Sequence, residues 1–227
     1  MKIGKLLTGF ALITAMCAQT PTRVASITAV GQATVSVTPD MALVDLGVAT
    51  QAATAQDASQ QNAVQAGAVI TALQALLGST ASIKTISYSV SPVYNNPGGG
   101  QNATIIGYLV TNIVEARLTD LTLVGKVIDT AIQSGANRIQ GVSFGVQDNT
   151  ASVAQALKTA ASSALSQAAA IASGLNVHTG AVLHASEGVN TAYPTALGPS
   201  AGGATTPIQT GMVVIQASVT IEVAITP

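Results

Sequence analysis

The sequence predicts an α+β fold: antiparallel sheets with about three helices packed on one face, in the rough order β-β-α-β-β-α-β-α-β-β. Two observations carry this. Three segments repeat one plan, a helical apolar pattern that ends at a glycine and leads into an alternating strand. Around them lie long runs of period two, the mark of antiparallel strands with one buried and one wet face.

In chain order, "MKIGKLLTGFALITAMCAQT" opens with Lys2 and Lys5, continues without charge from Leu6 to Met16, and ends in small residues. That order predicts a signal peptide over residues 1–18, cleaved after Ala18, with a linker over 19–25. The apolar run is about half of the ~20 residues a membrane-spanning helix needs. The expected mature chain therefore has no transmembrane segment. Cys17, the one cysteine, permits a second reading, in which processing stops before it and its thiol is lipidated. The preceding "TAM" fits that poorly.

Alternation resumes in "MALVDLGVAT", where Ala42, Val44, Leu46 and Val48 share a face. The first helix pattern follows, "TAQDASQQNAVQAGAVITALQALLG". Thr54 and Asp57 make a capping-box-like start, Ala66, Val69, Ile70, Leu73 and Leu77 an apolar face, and Gly78 a stop. "IIGYLVTNIVEARL" then alternates, with Ile106, Tyr108, Val110, Val114, Ala116 and Leu118 on one side. "DLTLVGKVIDTAIQSG" is a second helix, capped by Asp120, facing inward through Leu121, Val124, Val127, Ile128 and Ala131, and stopped at Gly135. The third runs from Thr150 to Gly174 with Val153, Leu157, Ala160, Ala164, Ala168 and Ile171 on one side. Its face is mostly alanine, which permits close approach. The last strand pattern, Gly211 to Thr226, puts Val213, Ile215, Ala217, Val219, Ile221, Val223 and Ile225 inward and Gln216, Ser218, Thr220 and Glu222 outward. Gly, Pro, Ser and Thr mark mobile loops at 95–102 and 190–207.

The stretches "ITAVGQATVSVTPDMALVDLGV", "GYLVTNIVEARLTDLTLVGKVIDTAIQSGANRIQGVSF" and "PIQTGMVVIQASVTIEV" resemble the SIMPL-domain family, which includes periplasmic immunogenic proteins of bacteria. The resemblance runs from about Ser26 to Ile225 and places one such domain over 26–227. Its most specific pieces are Thr38-Pro39-Asp40, the Gly107-Tyr108 and Thr111-Asn112 pairs, and the "SGAN" after the second helix. It implies an exported, periplasmic, envelope-associated protein whose molecular activity is undefined in the family at large. No catalytic residues come with it.

Composition narrows the function classes. Only 7% of residues are charged, against roughly 25% in ordinary soluble proteins. Net charge is −1 and aromatics are 3%, so neither phosphate neutralisation nor base stacking has residues to carry it, and nucleic acid is excluded as an expected partner.

"GVSFG", residues 141–145, matches the G-x-S-x-G nucleophile-elbow pattern, which must end a strand and open a helix. Here a helix pattern precedes it, and Gly141, Ser143 and Gly145 read as one face of a strand. Asp148 and His178 or His184 are the candidate triad partners, which sequence alone does not place. The two histidines fall six apart on one side of a strand, too far apart for a usual metal pair; solvent-facing histidines are expected. "PGGGQN" lacks the Lys-Ser/Thr of a phosphate loop. Asp40 reads as a turn residue. Asp45, Glu115, Arg117 and Glu222 are strand charges on the wet face, either inter-strand pairs or plain surface.

No catalytic, cofactor-binding or metal-binding residue is therefore assigned and no cofactor is expected. The expected function is a non-enzymatic envelope protein acting through self-association, as a homo-oligomer, and through binding an envelope partner. Uncovered edges of the long strand segments at 105–118 and 211–226, or the neutral Ala/Thr/Gln surfaces, are the expected contact, with Gln216, Ser218 and Thr220 nearer to it than Val219 and Ile221. The alternative is a small-ligand-binding protein or hydrolase with a pocket near the two Gly/Pro-rich loops.

Overall fold

A computed structural model describes residues 24–78, 81–95, 102–196 and 210–227. The expected signal peptide, Cys17, most of the linker, and most of both expected loops lie outside these. The first strand, β1 (Ser26–Val37), is followed by β2 (Met41–Ala52), α1 (Ala55–Leu77), β3 (Ile83–Asn95) and β4 (Thr104–Leu118). A 3-10 turn at Leu121–Leu123 leads into α2 (Val124–Gln133), then β5 (Arg138–Gly145), α3 (Thr150–Gly174), β6 (His178–Ala192), β7 (Thr195–Ala196) and β8 (Val213–Thr226). Apart from the 3-10 turn and the added two-residue strand β7, this is the expected order. β6 runs to Ala192, three residues into the stretch expected as a loop at 190–207.

The strands form two antiparallel sheets, β1-β8-β6 and β3-β4-β2-β5-β7. Each carries its helices on one face and has its own core. In the larger sheet Val44, Leu46 and Val48 of β2, Ala116 and Leu118 of β4 and Phe144 of β5 pack under Val69 and Leu73 of α1 and Val127 and Ile128 of α2. In the smaller sheet α3 lies on Ile27 and Ala29 of β1 and on Val213, Ile215, Ala217, Val219, Ile221 and Val223 of β8. The expected inward residues of β2 are all buried, as are those of β8 apart from Ile225, which is partly buried against the core.

The helix starts follow the sequence signals. Thr54 Oγ1 accepts the backbone N–H of Asp57 at 3.1 Å, and Asp120 accepts that of Thr122 at 3.0 Å. Gly78 and Gly135 end their helices at positive φ, 91° and 117°, where a Cβ would be strained. The third helix differs. Its left-handed residue is Asn176, φ 55°, a role asparagine tolerates because its amide bonds locally.

The buried stripe of α3 also differs from expectation. It is Ala156, Ala160, Ala164, Ala168 and Ala172, spaced by four along one ridge, while Ile171 is exposed. Alanine is demanded here by distance. A Cβ built on Gly31 of β1 would sit 2.0 Å from the Ala160 carbonyl oxygen and 2.3 Å from the Ala164 nitrogen. Helix and strand backbones therefore touch with nothing between them.

Gly31→Ala is expected to destabilise the chain by roughly 1–3 kcal/mol, the usual cost of overpacking, because backbone cannot move aside. Gly67→Ala is its control: this α1 glycine has open space around its would-be Cβ, and the substitution should stabilise by about 0.5–1 kcal/mol. Paired denaturation curves check both; equal effects at the two sites would contradict the close-approach account.

Candidate functional site

The sequence-flagged residues separate into three places. Ser143 sits within β5, paired with Leu43 of β2 and Thr195 of β7. The strand continues to Gly145, and α3 begins at Thr150, so the strand-to-helix turn of a nucleophile elbow does not form at Ser143. Val142 and Phe144 point into the core. Asp148 accepts the backbone N–H of Thr150 at 2.9 Å; the Thr150 side chain and then its backbone hold this carboxyl below the ordinary value. It caps α3. His178 and His184 belong to β6, in the other sheet, so the structure does not bring the triad candidates together.

The histidines pair in register with Thr226 and Glu222, four positions apart on β8, which places them on the same sheet face about 13 Å apart. Among the described residues no group of three or more His, Cys, Asp or Glu could hold a metal ion. Nor is any described helix long and apolar enough to cross a membrane.

Three of the motifs that carry the family resemblance have structural work. Asp40 Oδ1 accepts the backbone N–H of Gln147 at 2.7 Å, while its own N–H donates to Gly145 at 3.0 Å. The Thr-Pro-Asp turn thus clamps the exit of β5. In "SGAN", Asn137 Nδ2 donates to the Ala49 carbonyl at 2.7 Å and Asn137 Oδ1 accepts the Ala49 N–H at 2.9 Å. One side-chain amide replaces a strand residue beside β2. Gly107 is small because a Cβ there would lie 2.8 Å from the Ala52 carbonyl oxygen.

Sequence reasoning missed Asn62, fully buried on α1. Its Nδ2 donates to the Val48 carbonyl at 2.8 Å, tying the helix to the sheet. The signal was available, since position 62 lies midway between Ala58 and Ala66 on the same helical stripe.

The strand charges do face away from the cores. Asp45 lies directly opposite Glu115 across β2 and β4, and Lys84 of β3 reaches Glu115 at 2.9 Å. Asp45 Oδ1 is buried without a hydrogen-bond partner among the described residues. Burial first, and then the Glu115 charge, push its carboxyl above the ordinary value; Lys84 opposes them. In the smaller sheet Glu222 accepts the Ser26 hydroxyl at 2.6 Å.

Apart from Glu222, the outward face of the smaller sheet is uncharged and mostly polar. Gln32 and Thr34 of β1, Gln216 and Ser218 of β8, and Gly188 and Asn190 of β6 line a shallow groove of about 430 Å³. The edges correct the expectation about contact strands. β8 is central in its sheet, and β4 lies between β3 and β2, so neither is an edge. The long edges are β1, β3 and β6. β3 and β6 are exposed on both faces along nearly their whole length. Beyond the last β2 pair, Ala52 with Tyr108, the β3–β4 ribbon continues alone and exposes Tyr94, Ile105 and Ile106.

Two helix-backed antiparallel sheets, with core motifs that are structural and with long open edges, define an α+β protein. The chain belongs to the SIMPL family, described as "Protein of unknown function (DUF541)", which it matches over residues 27–223. It is 30% identical over 173 residues to the "26 kDa periplasmic immunogenic protein" of Brucella melitensis, covering 74% of this chain and 69% of that one. The Brucella abortus protein of the same name matches equally. With "Uncharacterized protein YggE" of Escherichia coli K12 it shares 28% over 152 residues, 67% of this chain and 61% of that one, less than two thirds of the relative's length.

Because the folded chain holds the Asp45 proton to higher pH than the unfolded chain does, stability falls as pH rises from the ordinary carboxylate range through the raised value. Asp45→Asn should therefore raise the melting temperature near pH 7 and leave it almost unchanged near pH 3. A drop near pH 7 would show that the ionised carboxylate stabilises the fold.

Proposed function

We propose that this is a periplasmic envelope protein that acts through self-association and partner binding, without catalysis. The observation that carries the reading is the pair of long strands, β3 and β6, that are exposed on both faces at the sheet edges. Unpaired backbone donors and acceptors along a strand are a template for another strand. Soluble proteins ordinarily blunt such edges with charge, and this chain is only 7% charged. From Thr85 to Val114, the part of β3 and β4 that lies beyond the Lys84–Glu115 pair, no residue is charged. The ribbon exposes Tyr88, Val90, Tyr94, Ile105 and Ile106, a concentration of apolar surface typical of interaction sites. The leader-like N-terminus and the relatives' periplasmic names support the location.

A second reading has one observation in its favour. The groove over Gly188 is lined by Gln32, Asn190 and Gln216 amides, which suit a small uncharged polar ligand. A thermal-shift screen with sugars and polyols, beside a panel of esters for hydrolase activity, separates it from the first.

The first reading predicts that light scattering on the mature chain at tens of micromolar gives a whole multiple of the chain mass. It also predicts that immobilised protein retains a defined partner from periplasmic extract. A strictly monomeric mass with no retained partner would contradict it.

A further inference from the structure

We propose that a second copy of this chain pairs antiparallel with β6 along residues 184–192, about a two-fold axis at Gly188, joining two three-stranded sheets into one of six. The proposal rests on the self-association reading and names its contact.

The regular part of β6 is its second half. From His184 to Ala192 it pairs with β8 without interruption, and its two irregularities are confined to Thr179–His184. The opposite edge of these nine positions has no strand among the described residues. His184 to Asn190 are exposed throughout. The usual protections are absent here: between 184 and 192 there is no proline, lysine or arginine, and the single charge is Glu187. β3, by contrast, carries Lys84, Pro92 and two register shifts, which make it a poorer template. β1 is the other open edge of the same sheet, but α3 already covers its inward face.

Symmetry favours β6 against itself. β1 and β6 both run antiparallel to β8 and hence parallel to each other. Repeating the molecule side by side would set β6 against β1 in a parallel ladder, which is weaker per residue and does not close after two copies. A two-fold axis perpendicular to the sheet gives an antiparallel ladder, keeps both α3 helices on one face and ends at a dimer. Such an axis requires a residue opposite its own copy. Gly188 is the midpoint of the regular segment, so all nine residues pair. It brings no side chain to the axis, and Glu187 then faces the partner's Val189. Centring on Glu187 instead would set two carboxylates against each other, which is unfavourable. On the outer face Ser186 meets the partner's Asn190, a hydroxyl opposite an amide.

The test uses the full chain with Cys17→Ser, so that an added cysteine is alone. A Cβ at Gly188 meets nothing within 4 Å, so Gly188→Cys should fold. Opposed antiparallel residues lie within disulfide reach. Mild oxidation should give a covalent dimer with Gly188→Cys and little with Gln32→Cys on β1. Gly188→Lys and Gly188→Glu should each weaken association by about fivefold with unchanged circular dichroism, and mixing the two should restore it. Cross-linking at Gln32→Cys with none at Gly188→Cys overturns the proposal. So does an oligomer that is indifferent to Gly188→Lys; in both cases self-association stands. A monomeric parent chain overturns both.

Discussion

The contact of the α3 backbone with β1 at Gly31 is the constraint on which much of the rest depends. An alanine ridge can lie on a sheet only where the strand beneath offers no side chain, and Gly31 is that place. The consequence is asymmetric cover. Drawn onto β1 and β8, α3 leaves β6 bare on both faces. The larger sheet repeats the pattern. α1 is held by Asn62 on the Val48 carbonyl and by its packing on β2 and β4, and β3 is left outside. Each half of the molecule thus buries its central strands and presents a long edge.

The same reasoning gives the family motifs a physical meaning. Asp40 locks the β5 exit, Asn137 completes the ladder beside Ala49, and Gly107 lets the ribbon pass the end of β2. These are demands of chain geometry, and they would be shared by relatives whose partners differ. Asp45 stands apart. Its carboxylate opposes Glu115 and has one oxygen without a hydrogen-bond partner among the described residues, a cost to the fold in a chain that otherwise avoids charge.

Much of the architecture was legible in the sequence because period two and period 3.6 are long and clean here. The inward residues of β2 and β8 and the caps at Thr54 and Asp120 followed from local pattern. What failed was non-local. Whether a strand is central or an edge depends on pairing order, so the periodicity of 211–226 could mark β8 as long but not as central. Ile106 continues an apolar alternation yet is exposed, because β2 and α1 end before reaching it. The α3 stripe was misplaced by one register step toward Ile171, since hydrophobicity outranked size in a helix that selects for small residues. Ser143 showed the converse: the helix before "GVSFG" was enough to read it as strand.

The most direct test of the account is amide hydrogen exchange followed by mass spectrometry across a range of protein concentration. β8 and β2, central in their sheets, should be protected at every concentration. Protection of residues 184–192 should be low in dilute protein and rise with concentration, in step with the mass of the particle. If those residues exchange at one concentration-independent rate while the particle grows, or if β8 exchanges as fast as β6, the account of buried centres and an associating edge is wrong.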